Sequence, residues 1–345
     1  MVRNGHGVTR VTISDVAQAA GVSMKSVSRV INREPNVTEK LRARVQGAID
    51  RLGYVPDTAA RSLAGARAFT IGILFDNPSP NYTMSVQSGA YRACREHGFH
   101  LLIEHLDSHA DDMPGQALAM LRNTRVDGFV VTPPLTECVA VMDALERRDI
   151  PYVRIGPVSF PGRSPAFAID DAAAAGEMAL HLWDRGHRRL GIVNGPPEHG
   201  AAGTRRGGFL SALQSLGHMD PVAESNGGFQ FNAGLAAGRE LLSLAERPTA
   251  IFATNDDSAA GVMAAAGQLG LKIPDDVAVA GFDDSWIAKS VWPNLTTVYQ
   301  PVSEMAYAAA TALIRRDSED FGSAVQLLDY RLVIRDSTAR RGPAA

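Results

Sequence analysis

Two groups of residues in this 345-residue chain have the types and spacing to do chemistry. The first is SMKSVSRVIN, Ser23 to Asn32. Lys25 and Arg29 are four apart, so a helix puts them on one face, with Met24 and Ser28 beside them. Val27, Val30 and Ile31 fall on the other side. A cation aimed at guanine O6 and N7 is the commonest specific base contact in the major groove. The second group lies at the ends of apolar runs: Asp76 and Asn77, Asp170 and Asp171, Asn255 and Asp256, Asp283 and Asp284. Carboxylates and amides donate to or accept from hydroxyl groups, which suits a neutral polyhydroxy ligand. Arg205 adds a forked donor, and Tyr82 and Phe229 offer ring faces to the C–H face of a sugar.

The first group needs a scaffold, and the flanking pattern supplies one. Ile13, Val16, Ala17 and Ala20 recur at helical spacing, with Thr12 or Ser14 as N-cap. Gly21 breaks that helix and Ser23 can cap the next. Pro35 and Asn36 end the second helix. Thr38 and Glu39 open a third, with Leu41, Val45, Ile49 and Leu52 on one face and Gly53 at its end. Two short helices joined by a tight glycine turn and backed by a third form a helix-turn-helix. The second helix of such a unit enters the major groove. Charge agrees with this reading. Residues 1–65 hold ten Lys/Arg against five Asp/Glu, a net +5, whereas the rest of the chain carries −8. A basic head on an acidic body confines nucleic-acid contact to the head. Asp57 to Leu63, after Pro56, is too short to hold a helix alone in water. It is a linker or a segment that folds on DNA.

The second group needs strand ends. From residue 67 onward, apolar strands (AFTIGILF, FHLLIEHL, VDGFVVTPP, IPYVRIG, FAID, RRLGIVNG, TAIFATND, VAVAGFDD) alternate with helical stretches. That alternation predicts an α/β fold with parallel sheets. The units are too many for one sheet, so two doubly wound parallel-sheet subdomains are expected. The expected division is a head over 1–56, a hinge or linker over 57–66 and a core over 67–345. Within the core, the first subdomain spans about 67–157 plus a crossover over 294–320. The second spans about 164–293 plus 321–340. In open parallel sheets ligands bind outside the carboxyl ends of the strands, where the second group falls.

Enzyme chemistry finds little support. No GxSxG, HExxH, P-loop or strand-linked GxGxxG is present. His105, His109, His187 and His199 lack ligand spacing, and Cys94 and Cys138 stand alone. No metal, catalytic residue or cofactor is expected. No apolar run reaches the roughly 20 residues of a membrane span, and the N-terminal residues lack the apolar stretch of a secretory signal. A cytoplasmic location is expected.

The stretch VTISDVAQAAGVSMKSVSRVIN and the following VTEKLRARVQGAIDRLGYVPDTAARSLAG resemble the N-terminus of the LacI/GalR family of bacterial transcription repressors. GHRRLGIVNG, RRGGF, ATNDDSAAGVM, VAVAGFDDS, LTTVYQP and RLVIRDST resemble the periplasmic-binding-protein-like core of the same family. The resemblance covers about residues 10–338. It implies a dimeric regulator on a pseudo-palindromic double-stranded operator, switched by a small effector in the cleft between subdomains. A sugar that controls carbohydrate uptake or catabolism genes is expected. The alternatives are a purine or nucleoside co-repressor and, further off, a sugar-binding transport protein. The DNA-contacting set is then Thr12, Ser23, Met24, Lys25, Ser28, Arg29 and Asn32, with Leu63 as a minor-groove wedge and Ala60 beside it. The effector set is Tyr82, Asp170, Arg205, Phe229, Asn255 and Asp283. The chain departs from the family pattern at Met24, Trp292, Pro301 and Val302, which bears on operator sequence and effector identity.

Overall fold

The computed structural model describes residues 11–31, 37–54, 67–316 and 322–339. The chain divides into two compact units, Met1–Ala68 and Phe69–Ala345. Three residues of the expected DNA-contacting set, Asn32, Ala60 and Leu63, lie outside the described residues, as does the whole 57–66 hinge segment.

The first unit contains helices α1 (Ile13–Ala20), α2 (Met24–Ile31) and α3 (Glu39–Leu52). Thr12 caps α1 in a capping box. Its backbone N–H and its hydroxyl both donate to the Asp15 carboxylate, at 2.7 and 2.8 Å. Gly21 closes α1 at φ 57°, a left-handed conformation that favours glycine. Arg44 of α3 donates to the Gly21 carbonyl at 2.7 Å, satisfying the end of α1 and fixing the turn. Val16, Val27 and Val45, one from each helix, are fully buried against one another.

The second unit holds two parallel sheets. The first is six-stranded, in the order β11 (Val325–Leu327), β5 (Ala166–Ala168), β4 (Tyr152–Ile155), β3 (Gly128–Val131), β1 (Thr70–Phe75), β2 (His100–His105). The second is four-stranded, in the order β7 (Ala223–Asn226), β6 (Leu190–Asn194), β8 (Ala250–Ala253), β9 (Ala278–Ala280). Beside it, β10 (Thr297–Tyr299) pairs antiparallel with β12 (Arg331–Val333) and bridges back at Ala280–Thr296 and Asp283–Tyr299.

These pairings correct the expected subdomain limits. FAID and the 321–340 segment are expected in the second subdomain, yet Ala166 pairs with both Arg154 and Val325, so β5 and β11 complete the first sheet. β10, expected with the first subdomain, joins the second. The reason is local. The chain returns from β4 to β5 through a loop instead of a crossover helix, and a buried arginine holds that loop. Arg154 donates to Ser164 Oγ at 3.0 Å and to the Ser159 and Phe160 carbonyls at 2.9 and 2.7 Å. The chain therefore passes between subdomains three times: after β5, after β10 and after β11.

The helices that carry site residues follow from these passages. They are α4 (Pro80–His97) after β1, α7 (Asp171–Asp184) after β5, α8 (Gly200–Ser215) after β6, and α10 (Asp256–Gln268) after β8. Helices α5 (Met113–Asn123), α6 (Val139–Glu146), α9 (Phe231–Leu242) and α11 (Trp286–Ser290) precede α12 (Val302–Arg315). α12 packs on α4 so closely that a Cβ at Gly89 would run into the Ser303 carbonyl oxygen. Gly89→Ala is expected to cost about 1–3 kcal/mol through this overlap. Equilibrium urea denaturation should show it as a lower midpoint at unchanged slope.

Candidate functional site

On the head, the geometry separates capping residues from projecting ones. Thr12 is engaged with Asp15. Ser23 Oγ accepts from the Ser26 N–H at 3.1 Å, so both hydroxyls hold helix starts. Met24 and Lys25 are exposed, and Ser28 and Arg29 are half-buried on the same side of α2. Val27 and Val30 face inward.

In the second unit the site is built around Arg205. It sits in the second turn of α8, buried to 5% exposure. Its Nε donates to Asp171 Oδ1 at 2.7 Å, its Nη1 to the Thr254 carbonyl at 2.8 Å and its Nη2 to Gln300 Oε1 at 2.9 Å. The guanidinium carbon lies 3.7 Å from the centroid of the Phe282 ring, a cation–π contact that fixes its plane. Asp283 Oδ1 stands 3.6 Å from Nη1 and accepts no hydrogen bond. Burial holds the Asp283 carboxyl well above the usual range. Arg205 opposes that rise, and Asp256, Asp257 and Asp171 reinforce it. Asp283 has φ 117°, an unfavourable value for a residue with a side chain, and such strain concentrates at ligand sites. Tyr82 completes this cluster from the first subdomain. Its phenol is pushed up first by burial, then by Asp283, which keeps it neutral and able to donate.

The other expected effector residues separate. Phe229 is buried, with its ring centroid 6.0 Å from the Arg205 guanidinium carbon and an edge contact to the His199 ring at 4.9 Å. Asn255 caps α10. Its Oδ1 accepts from Ser258 N–H at 2.9 Å and its Nδ2 donates to the Phe229 carbonyl at 3.2 Å, so it positions Phe229. Asp170 is an exposed N-cap of α7, bonded to Ala173 N–H at 2.9 Å. The neighbouring Asp171 takes the inward place beside Arg205, because the first turn of α7 rotates successive side chains about 100° apart.

Several participants carry no motif that sequence reasoning picks out. Gln300 and Thr254 reach Arg205 from a crossing and from a strand end. Asp257 bridges the subdomains. Its Oδ2 accepts from Ser79 Oγ and its Oδ1 from Asn81 Nδ2, both at 2.5 Å, across 178 and 176 residues of chain. Asn77 Nδ2 meets His199 Nε2 across the same cleft at 3.1 Å. Burial, with Arg205 nearby, lowers the His199 imidazole to about 3, so it is neutral. Asp257→Ala removes both seam bonds. It is expected to open the ligand-free cleft, seen as a larger radius of gyration in solution scattering. An unchanged radius would show the seam is not what holds the cleft closed.

A helix-turn-helix head and a two-subdomain α/β core with a polar cleft define a DNA-binding regulator that takes a small ligand. Residues 12–57 match the model of bacterial regulatory proteins of the lacI family, and residues 179–338 match the periplasmic binding protein-like domain. The ribose operon repressor of Escherichia coli (strain K12) is 35% identical over 307 residues, covering 88% of this chain and 92% of that protein. The repressor PurR of Proteus mirabilis (strain HI4320) is also 35% identical, over 314 residues, with 88% and 90% covered. The lac repressor dimer bound to operator and the anti-inducer ONPF superposes with a TM-score of 0.76 at 26% identity, over 96% of this chain and 100% of that one. The chain belongs to the LacI family of bacterial transcription regulators, and it is a DNA-binding protein. Among the described residues no helix is long and apolar enough to cross a membrane.

Proposed function

We propose that this regulator is a cytoplasmic, dimeric repressor of carbohydrate uptake or catabolism genes, released from its operator by a neutral sugar in the cleft. The carrying observation is the buried cluster of Arg205, Asp283 and Tyr82. The Arg205 guanidinium stands 3.6 Å from the Asp283 carboxyl, and Tyr82 lines one cavity with Asp283 and Gln300. Formal charge supports neutrality of the ligand. Asp171 and Asp283 flank the Arg205 guanidinium, and Asp256 and Asp257 lie near enough to act on Asp283, an acidic surrounding that disfavours anions such as sugar phosphates. The ligand would act by holding one arrangement of the two subdomains and so shifting the operator-competent population. No catalytic role is assigned to any residue. A purine co-repressor is the second reading, supported by the equal likeness to PurR. Thermal-shift comparison of sugars with hypoxanthine and guanine decides between them.

On DNA, Lys25, Ser28 and Arg29 with Met24 are proposed to read base edges, while Thr12 and Ser23 set the ends of the helices that carry them. Arg29→Ala is expected to cost about 1–3 kcal/mol of discrimination at the base pair it contacts. Fluorescence anisotropy with operators altered at single base pairs measures this. Unchanged discrimination at every position removes Arg29 from the reading set.

A further inference from the structure

Two of the ten cations that make the head basic are engaged within it. Arg44 and Arg51 lie at its surface, where charge alone would give them to the DNA backbone. They stand two turns apart on α3 and so project from one face. That face meets the C-terminal end of α1. The backbone of the turn takes up two of the carbonyls there: Val22 N–H donates to Ala17 at 3.0 Å, and Gly21 N–H donates to Gln18 at 3.1 Å. The arginines take two more. Arg44 Nη2 donates to the Gly21 carbonyl at 2.7 Å, and Arg51 Nη2 donates to the Ala19 carbonyl at 3.4 Å. A helix C-terminus carries partial negative charge, so the charge of each guanidinium adds to its hydrogen bond.

These bonds bear on the helix that follows. Gly21 is the left-handed residue between α1 and α2, and Ser23 caps α2 by accepting from the Ser26 N–H. Met24 and Lys25 come next, exposed in the first turn of α2. The second helix of such a unit reads bases with its N-terminal residues. Its readout therefore depends on where the turn releases it, and the Gly21 carbonyl is the point at which α3 grips that turn. Contacts to phosphate carry no such dependence, because they are the same for every sequence.

We propose that Arg44, supported by Arg51, is a positioning residue for operator recognition. It sets the pose of the first turn of α2 by anchoring the Gly21 carbonyl, and its charge is directed at the end of α1 instead of at a phosphate. This rests on α2 as the reading helix. It adds that base discrimination depends on a side chain of α3 that meets no base.

Fluorescence anisotropy of the full chain tests it. One probe is a duplex that the wild-type protein selects from random-sequence DNA, and the other is a shuffled duplex of the same composition, each followed over a series of salt concentrations. Arg44→Met removes the guanidinium and keeps the apolar stem. Its affinity for the selected duplex is expected to fall about tenfold, the scale of one hydrogen bond from a charged group. Its affinity for the shuffled duplex, and the slope of log affinity against log salt, should match wild type. A phosphate contact gives a different result: the slope becomes shallower by about 0.9 and both affinities fall together, which overturns the proposal. If Arg44→Met binds neither duplex, the head has lost its fold, and Arg51→Met, which removes the longer bond, decides by the same readouts. Arg29→Ala, measured alongside, separates the two levels of the argument. Discrimination lost in Arg29→Ala but kept in Arg44→Met and Arg51→Met sinks the positioning role and leaves α2 as the reading helix. Discrimination kept in all three variants removes both.

Discussion

Arg205→Ala is expected to abolish the effector response and to lower core stability by about 3–5 kcal/mol, the usual cost of removing one partner from a buried ion pair. The guanidinium is the cation beside Asp171 and Asp283, and it fills three hydrogen bonds in a site nearly closed to water. Its loss leaves Asp171 Oδ1, the Thr254 carbonyl and Gln300 Oε1 without that donor. Stability of the second unit can be followed in the full-length protein, because all three tryptophans lie beyond the head and Trp183 packs against the hydrophobic core. The measurements are urea denaturation by tryptophan fluorescence and sugar-dependent release from operator. Operator affinity without sugar should remain. A variant of normal stability and normal response would remove Arg205 from the centre of the site.

The second large effect is the contribution of Asp256 to core stability, which falls as pH rises from about 4 to 7. Burial lifts Asp256 to about 7, and it also raises Asp257 and Asp283. A carboxyl whose folded pKa exceeds its unfolded value binds more protons in the folded state across that interval. The stability these carboxyls contribute therefore falls as pH rises, by up to about 1.4 kcal/mol per pH unit for each proton involved. The paired surface carboxylates behave oppositely. Asp143 and Glu146 are lowered first by hydrogen bonds from Arg163, and Glu224 by those from Arg206. Their contribution is complete above the ordinary carboxylate range and is lost only toward acid. Two buried histidines also oppose the fall: burial lowers His181 to about 4 and His199 to about 3, so between those values and about 6.5 the unfolded imidazoles bind protons that the folded ones do not. The slope is the difference between the two sets, and Asp256→Asn should shift it in the positive direction. Ser285 N–H keeps an oxygen to donate to, and the Thr297 hydroxyl can turn to accept from the new amide. Equal slopes for wild type and variant would refute the assignment.

The head was readable residue by residue because one glycine turn and a 3.6-residue period determine which side chains face inward. Val27 and Val30 went in, and Met24 and Lys25 stayed out. In the core, the same alternation counts strands without saying which sheet each joins. A three-residue strand such as Ala166–Ala168 therefore went to the wrong subdomain. Arg205, Asp283 and Tyr82 were candidates because strand ends and ring faces are predictable places, and the fold brings Arg205 within 3.6 Å of Asp283 and puts Tyr82 in one cavity wall with Asp283. Asp170 was chosen over Asp171 because adjacent residues differ only in the rotation of a helix's first turn, which is invisible in one dimension. Asn255 looked like a ligand residue because a helix N-cap has the same composition. Asp257, Ser79 and Asn81 were missed because their contacts join positions far apart in the chain and carry no spacing of their own.

The three passages of chain between subdomains give the position of Arg205 a mechanical meaning. Asp171 begins the helix after the first passage, and Gln300 lies within the second. Both are hydrogen-bonded to the same guanidinium. The residue proposed to meet the ligand is therefore fastened to two of the three segments that join the halves. A ligand group that drew Arg205 toward itself would load both segments at once, without an intervening relay of side chains.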